Sequence, residues 1–257
     1  MSGAHPYASI DDAIQVVQNE AKAVPTIGHP MVGPYCFGSK DPTYAQCFGC
    51  LQLHKSGVPF GLLNRVVPIS MAPDPGTWYG RMQRYKGASP DDMYLLAAAL
   101  FSAMLAFSKP IEHALGGAID AICVTPSTRG ILVEDQRLWK SVSLVSSYLP
   151  PLKPLLRAAP GQKKPRNAIN PSLFAAEPSE VEGRRIVLIE DTWVTGSGAM
   201  SGAHSLMVGG AAAVLVLPIA RRLEVGSIKQ FNRQPYLDLV NDGAWQSDRL
   251  LWPRPLA

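Results

Sequence analysis

At 257 residues, the chain is long enough for one sizeable α/β domain with an appendage, or for two small domains. With 47% hydrophobic and 17% charged residues it can form a packed core, which excludes global disorder. The net charge of +4 suits an anionic ligand, but it does not by itself indicate nucleic-acid binding.

Hydropathy and cysteine content bear on the compartment. No apolar run reaches the ~20 residues that a membrane-spanning helix needs. Residues 1–6 contain no basic region leading into an apolar stretch, so no secretory signal is visible. Four cysteines in a chain of this length do not make a disulfide scaffold. The sequence therefore predicts a cytoplasmic protein with reduced cysteines and no membrane partner.

The N-terminal part of the chain is predicted to hold one helix and an irregular module. A helix over Ser9–Ala23 has a capping serine, acids in its first turn and one apolar face. Residues 24–65 are rich in proline and glycine and contain three of the four cysteines. We therefore treat residues 1–65 as a small cysteine-containing module.

The middle of the chain shows strands alternating with helices. A strand is predicted at Val66–Met71, and a helix runs from Ser89 to about Phe107, with proline at its first position. The apolar run Ala118–Thr125 has the length and composition of a strand in a buried parallel sheet. A further helix is predicted over Asp135–Ser147.

The pattern continues beyond residue 150. A short strand is predicted at Leu155-Leu156, a second buried strand at Arg185–Glu190 and a third at Ala212–Ala220, with a helix over Ala199–Val208 before the last. Such units in series predict an α/β domain over residues 66–221, with a parallel sheet flanked by helices. Ligands of such folds bind at the carboxyl ends of the strands.

Residues 222–257 are more polar and include Trp245 and Trp252. We interpret them as a packed C-terminal extension without an assigned role.

The strongest functional pattern lies in Ile186–Gly198. An apolar strand ends in two carboxylates, Glu190 and Asp191, and a turn then opens a helix with Thr195, Gly196, Ser197 and Gly198. Glycines let backbone N–H groups approach a ligand, and the start of a helix attracts anions. Adjacent carboxylates can accept hydrogen bonds from vicinal hydroxyls. The segment predicts a ribose 5-phosphate site, and a plain helix-capping turn is the alternative.

That interpretation sets a structural requirement. Glu190 and Asp191 must not be buried in ion pairs, and the start of the 199–208 helix must not be closed by the chain itself.

Four apolar residues, two acids and a Thr-Gly turn resemble the phosphoribosyltransferase signature. The segment Trp78–Gly87 is similar to the Lys-Tyr-x-Gly region of the ComF-like, competence-associated phosphoribosyltransferases. The N-terminal cysteines resemble the zinc module of that family. The resemblance covers roughly residues 36–220 and implies a type I phosphoribosyltransferase fold and a homodimer.

The resemblance also assigns two phosphate-binding segments. Val124–Gly130 sits where type I enzymes have their diphosphate-binding loop, which places Ser127, Thr128 and Arg129 in that role. Leu155–Phe174 resembles the flexible-loop region of the family, with the basic residues Lys163, Lys164 and Arg166. A solvated basic loop without a ligand is the alternative for these three residues.

The reaction that the resemblance implies is displacement of diphosphate from ribose C1, to which the protein contributes position and electrostatics. Mg²⁺, which prefers oxygen ligands, would bridge the diphosphate and the ribose hydroxyls of phosphoribosyl diphosphate. Arg129 and the three basic loop residues would neutralise the departing diphosphate.

Two departures from the family pattern lie in the turn. Val194 replaces the first of two threonines, and Gly198 replaces a later hydroxyl residue, for which Ser197 or Ser201 could substitute. Val194 also stands where 6-oxopurine salvage enzymes of this fold have a carboxylate that helps to handle the base proton. A valine cannot do this, so the resemblance disfavours salvage of hypoxanthine or guanine. These departures favour an alternative: a catalytically weak ligand-binding or adaptor protein, which the family name links to DNA uptake.

The cysteine spacing predicts a metal site with an incomplete ligand set. Cys36, Cys47 and Cys50 supply three sulfurs, and Ser39 stands where a fourth cysteine would repeat the Cys-Phe-Gly-Cys pattern. Zn²⁺ prefers about four nitrogen or sulfur ligands, and His54 is the nearest further candidate. A degenerate, metal-free module is the alternative.

Other function classes fit the sequence poorly. No Walker Lys-Ser/Thr pair follows the glycine turn, which disfavours hydrolysis of nucleoside triphosphates, and no Gly-x-Ser-x-Gly elbow appears. A zinc-ribbon nucleic-acid-binding protein remains as a third hypothesis, although no basic surface interleaved with aromatic residues is evident.

Overall fold

The computed structural model describes residues 7–25, 27–87, 89–231 and 233–246. Four strands form the main sheet: β1 (Ser70–Asp74), β2 (Ala121–Val124), β5 (Arg185–Trp193) and β6 (Ala213–Glu224). Two three-residue strands, β3 (Leu156–Ala158) and β4 (Phe174–Ala176), form a separate antiparallel pair. The main sheet has the order β1-β6-β5-β2, and every neighbouring pair is parallel. The predicted α/β class with a parallel sheet is confirmed.

The helices within the described ranges are α1 (Ile10–Glu20), α2 (Phe48–Lys55), α3 (Phe60–Leu63), α4 (Thr77–Arg84), α5 (Pro90–Leu115), α6 (Arg137–Ser143), α7 (Pro178–Val181), α8 (Ser197–Val208), α9 (Val225–Gln230) and α10 (Gln234–Asp242). Short 3₁₀ turns lie at Tyr85–Gly87, Val133–Asp135 and Ser146–Tyr148.

The sheet separates two hydrophobic layers, because successive side chains of a strand point to opposite faces. On β5, Val187 and Ile189 pack into the layer that contains α1, α4, α5 and α6. Ile186 and Leu188 pack into the opposite layer, which contains α8, the β3–β4 pair and the three N-terminal cysteines. Strand β5 is therefore buried on both faces, as its near-continuous apolar sequence predicted.

The first helix confirms the predicted cap but is shorter than expected. The Ser9 hydroxyl accepts a hydrogen bond from the Asp12 N–H at 3.2 Å, and the Ser9 N–H donates to the Asp12 carboxylate at 3.0 Å. This reciprocal pair is a capping box. The helix ends at Glu20 rather than at Ala23, because Lys22 pairs with Met71 and Ala244 in isolated β-bridges.

Helix α5 is longer than the sequence predicted. It starts after its cap Ser89 as expected but continues past Phe107, through Pro110, to Leu115. Phe107, Ile111 and Leu115 are all buried and spaced four apart, so the apolar face continues beyond the proline. Packing against the sheet therefore outweighs the backbone hydrogen bond that the proline cannot make.

Strand boundaries also differ from expectation: β2 is shorter than predicted and β6 continues to Glu224. The helix predicted over Asp135–Ser147 is limited to α6. The ladder of β1 begins at Ser70, although residues 66–69 already bond to β6 through the Val67 and Ile69 N–H groups. Strand β5 does not end at Glu190 but runs to Trp193, paired with β6 as far as Arg221. The two acids therefore lie within the strand rather than after it.

The C-terminal extension packs against the N-terminal module. The buried Tyr236 hydroxyl donates to the Phe37 carbonyl at 2.7 Å, and the Trp245 indole N–H donates to the Ile69 carbonyl at 3.1 Å. Trp252, the other tryptophan of this segment, lies outside the described residues. The extension is thus packed, as expected, and joins residues that are distant in the sequence.

Helix α5 is also the one described helix whose length and composition would allow it to cross a membrane. In its most apolar 18-residue stretch, 61% of the residues are buried inside the protein. Such burial is typical of a core helix of a soluble protein.

Candidate functional site

The carboxyl ends of β2 and β5 lie side by side, because Val124 pairs with Ile189. The loop after β2 starts at Thr125, whose N–H donates to the Ile189 carbonyl at 2.9 Å. The predicted diphosphate-type loop and the two acids therefore meet at one sheet edge. A cleft of about 550 Å³ opens there, and we call it the sheet-edge cleft.

The sheet-edge cleft brings together most of the predicted site residues. Those that line it are Ser127, Thr128, Arg129, Lys164, Glu190, Asp191 and Gly198. Five lysines and arginines face three carboxylates in its lining, which suits a polyanionic ligand. The cations are Lys86, Arg129, Arg137, Lys140 and Lys164.

The two acids reach the cleft from opposite faces of β5. Asp191 accepts a hydrogen bond from the Tyr85 hydroxyl and pairs with Lys86 at 3.0 Å, both of which follow α4. Glu190 faces Lys164 of the β3–β4 loop across 3.8 Å. Each acid therefore has a cation of the chain as its partner.

The electrostatics of the two acids differ. Glu190 is only 6% exposed, and this burial raises the pKa of its carboxyl, although the Lys164 ammonium opposes the shift. Asp191 is more open, with 18% of its side chain exposed. Burial, followed by the charge of Asp191, raises the pKa of the Tyr85 hydroxyl, so Tyr85 serves Asp191 as a hydrogen-bond donor.

The turn before α8 has the backbone that its glycines predicted. Gly196 has a φ of +79°, in the left-handed region, and a Cβ at this position would lie 2.2 Å from the Trp193 ring. The first N–H groups of an α-helix have no partner within the helix. The Ser197 N–H makes only a long contact of 3.5 Å with the Thr195 hydroxyl. The start of α8 thus retains the donors of an anion site.

Lys164 lies across this helix start. Its Nζ is 2.6 Å from the position that a Cβ on Gly198 would take, so an alanine there would collide with the lysine side chain. The structural requirement stated above is therefore met only in part. Both acids have lysine partners, and Lys164 covers the helix start. Both lysines are about half exposed, at 45% and 48%, so solvent screens the pairs and the side chains can move.

The remaining loop residues lie farther out. Lys163 and Arg166 are exposed and do not line the sheet-edge cleft in the described structure, which fits the alternative of a solvated basic loop for these two. The loop itself is anchored, since the Asn170 N–H donates to the Ser201 hydroxyl at 3.0 Å and the Ile169 N–H to the Ser56 hydroxyl at 3.1 Å.

Several site residues were not predicted. Gln136 braces the loop after β2: its side-chain oxygen accepts from the Ser127 N–H at 2.7 Å, and its amide donates to the Ile131 carbonyl at 3.0 Å. No local pattern marks such a brace. Tyr85 and Lys86 lie in the segment Trp78–Gly87, which resembles the Lys-Tyr-x-Gly region of the ComF-like phosphoribosyltransferases. That resemblance was the one sequence signal that could have indicated them as site residues.

Three cysteines form a second cluster, in the same hydrophobic layer as α8. The Sγ atoms of Cys36, Cys47 and Cys50 lie within 4.8 Å of one another, and the first two are 3.4 Å apart. Tetrahedral zinc with Zn–S bonds of ~2.3 Å places its sulfurs ~3.8 Å apart. Hydrogen bonds from the other two thiols lower the pKa of Cys36, and the hydrogen bonds with Cys36 raise the pKa of Cys47 and Cys50. The three cysteines could therefore hold a metal ion.

His54 is not part of this cluster. Its Nδ1 lies 3.0 Å from the Val58 carbonyl oxygen, and its ring stacks on Phe60 with the centroids 3.6 Å apart. The predicted zinc ligand therefore has other partners, because helix α2 directs it toward Phe60 rather than toward the sulfurs. Cys123 lies buried in β2, as expected of a core residue.

No family model matches this chain, and no curated protein matches its sequence.

Proposed function

We propose that the sheet-edge cleft binds phosphoribosyl diphosphate with Mg²⁺ and transfers the phosphoribosyl group to a nitrogen acceptor, releasing diphosphate. One observation supports this most: a single cleft is lined by the acidic pair, by Gly198 at the start of α8 and by the loop that carries Arg129. The proposal includes a type I phosphoribosyltransferase-like fold for residues 66–221 and the ComF-like resemblance drawn from the sequence.

In this proposal each part of the cleft takes one part of the ligand. The N–H groups at the start of α8 bind the 5′-phosphate. The hydroxyls of Thr195 and Ser197 are 3.1 Å apart within the same turn and do not line the sheet-edge cleft, so they support the turn rather than the ligand. Glu190 and Asp191 accept hydrogen bonds from the ribose hydroxyls. Arg129 and the loop carrying Ser127 and Thr128 hold the diphosphate.

The lysines now paired with the acids then exchange partners. Lys164 would move from Glu190 toward phosphate oxygens, and Lys86 lies beside Asp191 at the other side of the cleft. Such an exchange neutralises charge on the departing diphosphate. The carboxylates and hydroxyls of the cleft are the oxygen donors that Mg²⁺ prefers. When bound, Mg²⁺ would offset the negative charge of the diphosphate.

The test is calorimetric titration of the full-length protein with phosphoribosyl diphosphate and Mg²⁺, followed by an assay for diphosphate release with a panel of bases and amines. Binding together with release supports the enzyme. Absence of binding by the folded protein would overturn the proposal.

Asp191→Asn should weaken ligand binding by ~10-fold or more, since a hydrogen bond to a charged group contributes roughly 1.5–3 kcal/mol. Asp242→Asn, at an exposed position at the end of α10, is the matched control and should bind like the wild type. Unchanged affinity of Asp191→Asn would remove Asp191 from the site.

A second candidate is a ligand-binding or adaptor protein with weak catalysis. Lys164 lying across the helix start favours it, as does the replacement of the first turn threonine by the exposed Val194. Binding without diphosphate release across the panel would support this candidate over the enzyme. The link to DNA uptake rests on the resemblance alone.

We also infer that the metal of the cysteine cluster is Zn²⁺, since thiolates suit this ion and the sulfur spacing fits a tetrahedral centre. Metal analysis of the purified protein tests this, and a metal-free preparation with unchanged folding would refute it. A cytoplasmic location accords with four free cysteines. A homodimer is expected from the resemblance, and light scattering would measure it.

A further inference from the structure

The cysteine cluster supplies three metal ligands, and no fourth histidine, cysteine or acidic side chain joins them within the described residues. Zinc sites that serve only structure are closed by four protein ligands, whereas sites that bind a further molecule keep one position open. The identity of the fourth ligand therefore decides what kind of site this is.

In the sequence, Ser39 stands where a fourth cysteine would complete a repeat. It ends the repeat Cys36-Phe-Gly-Ser39, which matches Cys47-Phe-Gly-Cys50. Its hydroxyl accepts a hydrogen bond from the Arg233 guanidinium at 3.4 Å and lines the same small cleft as the cysteines. A neutral hydroxyl is not among the usual ligands of zinc, so the serine leaves the fourth position unfilled.

That small cleft, which we call the cysteine cleft, has a volume of about 200 Å³. A water molecule occupies ~30 Å³ of the liquid, so the space admits a ligand of several heavy atoms. The cysteine cleft is bounded by the three cysteines on one side and by Trp193, Val194 and Thr195 on the other. It is therefore separate from the sheet-edge cleft but backs onto the same turn.

Arg221 lines the cysteine cleft and has an unused donor. The side chain is half-buried, and one terminal nitrogen of its guanidinium donates to the carbonyls of Trp193, Val194 and Arg222 at 2.7–3.2 Å. The other terminal nitrogen lies 4.0 Å from the Cys36 sulfur. Its Nε has no hydrogen-bond partner among the described residues. A buried donor without a partner is costly, so the wall of the cysteine cleft contains an unsatisfied polar group.

We propose that the cysteine trio and this cleft form a ligand-binding metal site. The three thiolates hold Zn²⁺, and its fourth coordination position is open to a small anion that enters the cysteine cleft. This proposal rests on zinc binding and is independent of whether the sheet-edge cleft transfers a phosphoribosyl group.

Arginines around the cysteine cleft offset the single net negative charge that Zn²⁺ with three thiolates carries. Arg221, Arg222 and Arg233 line it, against one carboxylate, Glu224. Arg222 is tied to Asp74 at 2.6 Å and therefore contributes little net charge. The other two arginines remain, and Arg233 already donates to a hydroxyl at the cleft wall.

The experiment replaces zinc with Co²⁺ in the full-length protein and follows the visible d–d absorption bands during titration with sodium azide. Sodium perchlorate at the same concentration controls for ionic strength. An open position predicts a saturable shift of the bands with azide and none with perchlorate. Bands that azide does not move, or failure of the folded protein to take up one Co²⁺ per chain, would overturn the proposal.

Two variants at Ser39 test whether the fourth coordination position of the metal is open. Ser39→Cys supplies a fourth sulfur, so it should show stronger sulfur-to-cobalt charge-transfer absorption and lose the response to azide. Ser39→Ala should keep both the wild-type spectrum and the response, because the serine is not a ligand. If Ser39→Ala altered the spectrum before azide was added, the hydroxyl would be a ligand and the open-site proposal would fail. Where Ser39→Cys does not fold, the wild-type titration and Ser39→Ala still decide.

Discussion

Single residues in the sheet-edge cleft show how the site depends on neighbours that are distant in the chain. Two features require glycine at position 196. Its backbone is in the left-handed region, and the Trp193 ring occupies the space that a side chain would need. Glu190 is buried beside a loosely paired lysine, at the cost of a raised pKa. The geometry of the site therefore restricts substitution at Gly196 and makes the burial of Glu190 unfavourable for stability.

Gly196→Ala should destabilise the protein by at least ~1–3 kcal/mol, since it combines a strained backbone with a clash against a buried ring. Gly226→Ala is the matched control. Gly226 lies within helix α9 with nothing within 4 Å of an added Cβ, so alanine should be neutral or stabilising there. Chemical denaturation measures both, and equal stabilities of the two variants would contradict the account of the turn.

Glu190 should make stability depend on pH. Its folded pKa is raised, so the folded state holds this proton more tightly than the unfolded chain does. The free energy of unfolding therefore falls as the pH rises from the unfolded pKa of ~4.3 through the higher folded pKa.

Glu190→Gln should remove this part of the pH dependence and raise the melting temperature at neutral pH, while weakening ligand binding. Thermal unfolding across this pH range measures the effect, with the exposed Glu182→Gln as control. An unchanged pH profile would show that the Lys164 pair compensates the burial of Glu190.

At the scale of elements, caps and packing determine where helices end. The Ser9 and Ser89 caps predicted two helix starts correctly. The predicted end of α5 near Phe107 was wrong, because the apolar face continues through Ile111 and Leu115. Local signals located the starts, and contacts with the sheet determined the end.

Ile111→Ala should cost ~2–5 kcal/mol, because the side chain is fully buried beyond the proline and its removal leaves a cavity. Leu105→Ala, on the exposed side of the same helix at 59% exposure, should change stability by less than ~0.5 kcal/mol. Denaturant titration of the two variants checks this. A small effect of Ile111→Ala would mean that the last turns of α5 contribute little to the core.

At the scale of the whole molecule, the C-terminal extension contacts the N-terminal module. The hydroxyl of Tyr236, in α10, donates to the carbonyl of Phe37 beside the cysteine cluster. Phe37, Tyr236 and Met71 of β1 belong to one buried cluster. The N-terminal module and the C-terminal extension therefore share a core with the edge of the sheet.

Tyr236→Phe should lower the free energy of unfolding by ~0.5–1.5 kcal/mol, because it removes a buried hydrogen bond to the Phe37 carbonyl. Tyr44→Phe, at a position that is 67% exposed, is the control and should have little effect. Equal denaturation midpoints for the two variants would show that the hydroxyl does not join the two ends.

The sequence predicted the parts of the molecule that depend on local pattern. The buried strands, the parallel sheet and the turn at Gly196 follow from apolar runs and glycine spacing. Asp191 and Glu190 pair with Lys86 and Lys164, which come from other segments of the chain. The contact of Gln136 with the loop after β2 is likewise tertiary, and no local sequence pattern predicts such contacts. His54 shows the same limit, since its spacing from Cys50 suited a ligand but helix α2 turned it toward Phe60.

The placement of Glu190 and Asp191 on opposite faces of β5 has a mechanical consequence. One contacts the side of the molecule built from α8 and the β3–β4 pair, and the other contacts the side built from α4 and α5. A ligand that hydrogen-bonds to both carboxylates would contact both of these sides of the sheet. Its binding free energy would then add directly to the resistance against their separation, and the melting temperature would rise with its concentration.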